Sequence, residues 1–146
     1  MPEVSLRERA LGLLSRREHS RLELRRKLAA HAEDGDELDA LLDDFEKRGW
    51  LSEQRFVEQV IHARSGRYGS RYVVHELREK GVAEALIEQA LPQLRESELE
   101  AARAVWAKKF GRQPEDMKER AKQTRFLQSR GFGLDIIGKV LRGDEH

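Results

Sequence analysis

Apolar residues recur at three- and four-residue steps through almost the whole chain. Leu6, Ala10, Leu13 and Leu14 form one such set, and Leu38, Leu41, Leu42 and Phe45 a second. Phe56, Val60 and Ala63, then Val82, Leu86 and Ala90, then Leu99, Ala102 and Trp106 continue the pattern. That spacing puts each set on one face of a helix. Start signals precede several of them. Ser5 with Glu8, Ser20 with Glu23 and Ser97 with Glu100 fit the capping-box spacing, and Ser52 and Ser70 read as plain caps. Gly49, Gly81 and Gly131 fall where helices should stop. The pattern predicts an all-α chain of nine helices, at 6–16, 20–30, 37–48, 52–65, 70–80, 83–94, 97–110, 115–130 and 133–142. "RYVVHEL" has strand propensity through its Tyr and paired Val, but both its neighbours are helical, so it is assigned to a helix.

The helices repeat. "LREKGVAEALIEQAL" (Leu77–Leu91) aligns without a gap on "LQSRGFGLDIIGKVL" (Leu127–Leu141). A third copy lies near the start, where "ELRRKL" matches "ELREKG" and "FLQSRG", and "LDALLDDF" supplies the following helix after a longer acidic linker from Ala29 to Asp36. Nine helices thus divide into three units of three, at 1–50, 51–95 and 96–146. One such unit buries little apolar surface alone, so neighbours are expected to complete one another's cores, as in repeat arrays. The expected shape is elongated and curved, with a continuous concave surface instead of a pocket. A compact folded bundle is the alternative.

Composition narrows the chemistry. The 146 residues are 38% charged and 6% aromatic, and none is cysteine, which excludes a disulfide scaffold, a thiol catalyst and a Cys-based zinc site. No apolar run is long enough to span a membrane, and the opening "MPEVSLRERALGLL" does not resemble a secretory signal. A soluble cytoplasmic protein is expected. The net charge of +1 hides strong blocks. Arg16–Lys27 holds six cations and two acids, Arg64–Lys80 five and two, and Lys118–Arg130 five and one, whereas Glu33–Glu46 holds eight acids and no cation.

The familiar catalytic and ligand motifs fail on inspection. "GLDIIGKV" approaches a phosphate loop but ends in Val140 where Ser or Thr must hold magnesium, and it aligns with a packing helix. "EDGDELDALLDDFE" is not an EF-hand, because counting from Asp34 puts Asp39 and Phe45 where Gly and Glu are needed. Its acids suit a helix N-terminus, on a solvated face or one that docks a basic partner. His19, His31, His62, His75 and His146 form no paired or HExxH motif. No Ser–His–Asp set stands out. No enzyme activity, metal or cofactor is expected.

Basic residues are more informative. "RSGRYGSRY" interleaves Arg64, Arg67 and Arg71 with Tyr68 and Tyr72. Arginines bind phosphates and aromatics can stack on bases, although a basic turn with tyrosines tucked into a core reads equally well. Lys118, Lys122 and Arg125 make one stripe on a helix. Arg21 and Arg25, followed by Lys27, repeat it, as do Arg71 and Arg78 with His75 between them, followed by Lys80. Arg130 closes the third basic block. Each stripe alone suits a solvated face. Their recurrence on the second helix of each unit suggests a shared ridge facing a polyanion or an acidic surface. Trp50, where the first unit meets the second, reads as a packing anchor.

Three ordered segments carry a resemblance. "SRREHSRLELRRKL", then "GWLSEQRFVEQVIHARSGRYGSRYVVHELREKGV", then "KERAKQTRFLQSRGF" resemble the RecX family, bacterial regulators of the RecA recombinase, over residues 6 to 142. The resemblance implies three tandem three-helix repeats and a non-enzymatic, monomeric protein. It also implies binding in the groove of the RecA–DNA filament, with limits on filament growth, ATP hydrolysis, strand exchange and SOS co-protease activity. Some members bind DNA directly. On that basis Arg21, Arg25, Lys27, Arg64, Arg67, Tyr68, Arg71, Arg78, Lys80, Lys118, Lys122, Arg125 and Arg130 become candidates for contact with RecA or single- or double-stranded DNA. The alternatives are a stand-alone helix-turn-helix-like DNA-binding module, a protein-only adaptor and, more distantly, an enzyme.

Overall fold

The computed structural model describes residues 4–143, so His146 lies outside the described residues. Within them nine α-helices follow one another in three triplets, with no strand. The first triplet is α1 (Leu6–Arg16), α2 (Arg21–Leu28) and α3 (Gly35–Lys47), with a 3-10 turn at Ala29–His31. The second is α4 (Glu53–Arg64), α5 (Ser70–Glu79) and α6 (Glu84–Glu96). The third is α7 (Glu98–Lys109), α8 (Met117–Ser129) and α9 (Leu134–Arg142). "RYVVHEL" lies in α5. Its Val73 and Leu77, one turn apart, face inward and are buried.

The hydroxyls of Ser5, Ser20 and Ser52 accept the N–H of Glu8, Glu23 and Arg55 at 3.1, 3.1 and 3.2 Å. Asp34 and Asp116 cap α3 and α8 in the same way at 2.7 and 2.8 Å. Each satisfies one otherwise orphaned donor. Two expected caps are corrected. Ser97 makes no side-chain cap, because it is the single residue between α6 and α7 and its backbone is near-helical, φ −109°, ψ 10°. Ser70 is the first helical residue of α5, and both its N–H and its hydroxyl donate to Glu98 Oε1, at 3.0 and 2.9 Å. The first residue of α7 therefore caps α5. The first residue of α4 does the same for α2: Glu53 Oε1 accepts the N–H of Arg21 at 2.6 Å.

The cores are separate, which corrects the expectation that neighbours complete one another. Ala10, Leu24, Leu28, Leu38, Leu42, Phe45 and Leu51 form one cluster within the first triplet. Phe56, Val57, Val60, Ile61, Val73, Leu77, Val82, Ile87 and Ala90 form the second. Ala101, Ala102, Leu127, Phe132, Ile137, Val140 and Leu141 form the third. Leu24, Leu77 and Leu127, aligned in the repeat, are each fully buried. Burial of one such leucine contributes about 1.5–3 kcal/mol, so most apolar stabilisation is local to a triplet. Three clusters instead of one also argue against the compact bundle.

The joints are polar and differ from each other. Between the second and third triplets, Gly69 N–H donates to Arg130 O at 2.8 Å and Arg71 N–H to Gly131 O at 3.1 Å. Glycine permits this approach: a Cβ on Gly69 would lie 2.3 Å from Gly131 O. Between the first and second, side chains carry the contact. Gln59 Oε1 accepts Glu18 N–H at 3.0 Å, Arg55 donates to Glu18 at 2.8 Å, and Lys80 lies 3.5 Å from Glu23. Gly81 packs against Leu22. Trp50 does not fill this joint. It is 41% exposed and packs edge-on against Phe45 of the first core, with the Arg7 and Arg48 guanidiniums over its ring at 5.5 and 5.1 Å.

A basic groove as candidate functional site

The basic stripes meet different fates. Arg21 donates to Asp43 and Glu46, both at 2.7 Å, and Arg25 to Asp39 at 3.0 Å. The acidic block is thus in large part an intramolecular counter-charge, with Asp44 held by Arg7 at 3.2 Å and Arg48 at 2.9 Å. The hydrogen bond from Arg25 holds Asp39 below the ordinary carboxylate value. Sequence spacing does not reveal this pairing, because Arg21 and its acids are more than twenty positions apart.

Lys27 and Lys80 converge on a buried carboxylate. Glu23 is 6% exposed, and its Oε2 lies 2.5 Å from Arg17, 3.5 Å from Lys80 and 4.0 Å from Lys27. Burial alone would raise its pKa. The Arg17 hydrogen bond and the neighbouring positive charges outweigh burial and hold it at about 2. Lys27 Nζ also meets His19 Nε2 at 3.0 Å, while His19 Nδ1 faces Arg17 O at 3.1 Å. With Nδ1 donating to that carbonyl, Nε2 is left to accept from the ammonium. Burial, first of all, lowers the pKa of His19 and favours this neutral ring.

"RSGRYGSRY" is divided by the fold. Arg64 makes a two-pronged pair with Glu76, both bonds 2.9 Å, which raises its pKa further. Its guanidinium lies 5.8 and 5.9 Å from the Tyr68 and Tyr72 rings, which stack on each other at 4.0 Å. Arg130 lies over Tyr68 at 5.4 Å. These half-buried tyrosines are occupied by internal partners. Arg71 turns into a cleft between α5, α6 and α9, together with His75 and Arg78. Arg78 is paired there with Glu84 at 2.7 and 3.1 Å, and Glu88, Glu98 and Asp135 share the lining, so its charge is balanced.

The remaining cations gather. A groove is lined by Gly66, Arg67, Ala104, Val105, Lys108, Lys109, Phe126 and Arg130, with no carboxylate. The α4–α5 loop supplies Arg67, which also donates to the Ala63 carbonyl. The last turn of α7 supplies Lys108 and Lys109. Lys109 and Arg130 sit over Phe126 at 5.4 and 5.3 Å. Along α8, Lys118, Lys122, Phe126 and Arg130 recur every fourth residue. They form one row about 18 Å long. Lys118, Lys122 and Arg125 are exposed and, among the described residues, make no ion pair. A positive strip with an apolar floor can hold a chain of phosphates or carboxylates. Lys108, Lys109, Val105 and Phe126 are not among the residues that sequence alone singled out. The adjacent lysines in "AKKF" were the available signal, but only the docking of the α4–α5 loop on the third triplet brings them to Arg67.

Comparison with known proteins follows this division. Family models for the first, second and third three-helix domains of RecX match residues 7–45, 52–91 and 96–141. The chain belongs to the RecX family. A regulatory protein RecX of Ralstonia nicotianae is 50% identical over 140 residues, covering 96% of this chain and 88% of that one. Another, of Leptothrix cholodnii, is 49% identical over 145 residues, covering 99% and 92%. The crystal structure of RecX from Lactobacillus salivarius shares the fold with a TM-score of 0.79 at 18% identity, covering 96% of this chain and 94% of that one. A RecX-type regulatory role follows, on an all-helical scaffold of three tandem repeats. Among the described residues no helix is long and apolar enough to cross a membrane.

Proposed function

We propose that this protein is a negative modulator of RecA that binds the RecA–DNA filament and uses the groove between Arg67, Lys108, Lys109 and Arg130 as its principal anionic-partner site. Membership of the RecX family over all three domains carries the reading. The unpaired row on α8 supports the choice of surface, because its charges are not already neutralised from within. Binding would limit filament growth and, with it, ATP hydrolysis, strand exchange and SOS co-protease activity. The protein would act in the cytoplasm as a monomer, without a cofactor and without catalysis of its own. The three units, taken as 1–50, 51–95 and 96–146, would touch more than one RecA protomer. Several weak contacts on one scaffold then reinforce one another through effective concentration. Such binding alters the filament only if the contacts differ between filament states.

Co-sedimentation with RecA filaments, with RecA alone and with DNA alone tests the proposal. It predicts strongest capture on filaments, weakened by Arg67→Gln, Lys108→Gln and Lys109→Gln together. Equal capture by DNA alone would favour the stand-alone DNA-binding module. Equal capture by RecA without DNA would favour a protein-only adaptor.

A further inference from the structure

We infer that the chain moves as two bodies, the first triplet and the fused second and third, hinged where Leu51 meets Ser52 and latched by charge. The connections set the difference. One residue, Ser97, separates α6 from α7, whereas five separate α3 from α4. Within those five, Arg48 to Leu51 belong to the first body, with their N–H groups bonded to α3 carbonyls and Leu51 buried in its core. The chain can therefore pivot only at Ser52, where Arg55 bonds the Gly49 carbonyl across the joint at 2.6 Å. The second joint carries two main-chain hydrogen bonds beneath glycine contacts, and the buried Glu98 closes it. Among the described residues no main-chain hydrogen bond crosses the first joint.

Apart from the packing of Leu22 on Gly81, the contacts that cross the first joint are charged or polar side chains: Glu53 on the N-terminus of α2, Gln59 and Arg55 on Glu18, and Lys80 on Glu23. A cleft opens between the two sides, with Arg17 and Glu23 facing Gln59, Arg64, Glu76 and Lys80. With separate apolar cores, opening this joint exposes little of either core. Partly exposed ion pairs are weak and salt-sensitive, so ionic strength should loosen the first joint and spare the second. The first triplet then takes an orientation independent of the basic groove.

The chain has no cysteine, so spin-label pairs can be installed cleanly. Arg26→Cys with Gln89→Cys spans the first joint, and Gln89→Cys with Gln128→Cys spans the second, all at exposed positions. Raising salt from about 0.1 to about 1 M shortens the screening length from about 10 to about 3 Å. The distance distribution across the first joint should broaden several-fold, and Glu18→Gln with Glu53→Gln should broaden it already at low salt. Across the second joint it should stay narrow in both tests and widen with Gly69→Ala. Equal narrowness of both pairs at high salt, or equal broadening, overturns the inference. So does broadening accompanied by loss of helical circular dichroism, which would mean unfolding instead of hinging.

Discussion

Gly69→Ala isolates the close approach of the second and third triplets. Gly69 has φ −85° and ψ 172°, extended backbone open to any residue, so alanine adds no conformational strain of its own. Its Cβ would lie 2.3 Å from Gly131 O, 2.5 Å from Gly131 C and 2.7 Å from Phe132 N. All three are main-chain atoms and cannot rotate away. The joint must part, and the bonds from Gly69 to Arg130 and from Arg71 to Gly131 lengthen or break. Two such bonds contribute about 0.5–1.5 kcal/mol each, and forced overpacking costs about 1–3 kcal/mol. A loss of about 2–6 kcal/mol in coupling between the triplets follows. Gly12→Ala is the control, since nothing lies within 4 Å of the added Cβ. Removing a helix glycine there should stabilise by about 0.5–1 kcal/mol. Trp106, hydrogen-bonded to Gln123 at 2.8 Å, reports the third triplet in a Trp50→Phe background, and Trp50 reports the first in a Trp106→Phe background. Urea unfolding should show an earlier Trp106 transition for Gly69→Ala and an unchanged Trp50 transition. A Gly69→Ala protein as stable as Gly12→Ala would refute the reasoning.

Glu98→Ala should cost about 1–2 kcal/mol by removing the cap on α5, with Glu98→Gln, which keeps an acceptor oxygen, losing less; urea midpoints measure both. Glu23 has its folded pKa depressed to about 2 from an ordinary value of 4.5. Its contribution is complete above that ordinary value and fades as pH falls toward 2, on the order of 3 kcal/mol in all. Stability titrations of Glu23→Gln should therefore be flatter than the parent across that acid window. Glu53 works in the opposite direction, because burial raises its pKa and acidification through that raised value favours the fold. Replacing Lys118, Lys122 and Arg125 by Gln should change stability by less than about 0.5 kcal/mol. The same change should lower the salt dependence of single-strand binding by about 0.7 for each phosphate no longer neutralised, read as the slope of log affinity against log salt.

The helices were legible because their signals are local. The periodic leucines, the Ser and Gly punctuation and the 50-residue echo of Gly81 in Gly131 each need only a short window. The joints were not legible. Glu53 and Glu98 look like ordinary acids in first turns, and only the packed triplets aim them at Arg21 and Ser70. Ser97 misled because the capping-box spacing was present where the backbone never leaves near-helical angles. At the candidate site, sequence identified Arg67, Lys118, Lys122, Arg125 and Arg130 as cations but could not say which cations are spent internally. Arg21 and Arg64 carry equally promising neighbours, yet each is paired across more than ten positions with acids that spacing did not connect.

The most direct measurement is RecA ATP hydrolysis on single-stranded DNA with this protein titrated in, beside the Arg67→Gln, Lys108→Gln, Lys109→Gln variant. Hydrolysis should fall with the parent protein and fall much less with the folded variant, the gap narrowing as salt rises. Hydrolysis indifferent to the parent protein would contradict the proposed regulation, and equal inhibition by both at every salt concentration would remove the groove from it.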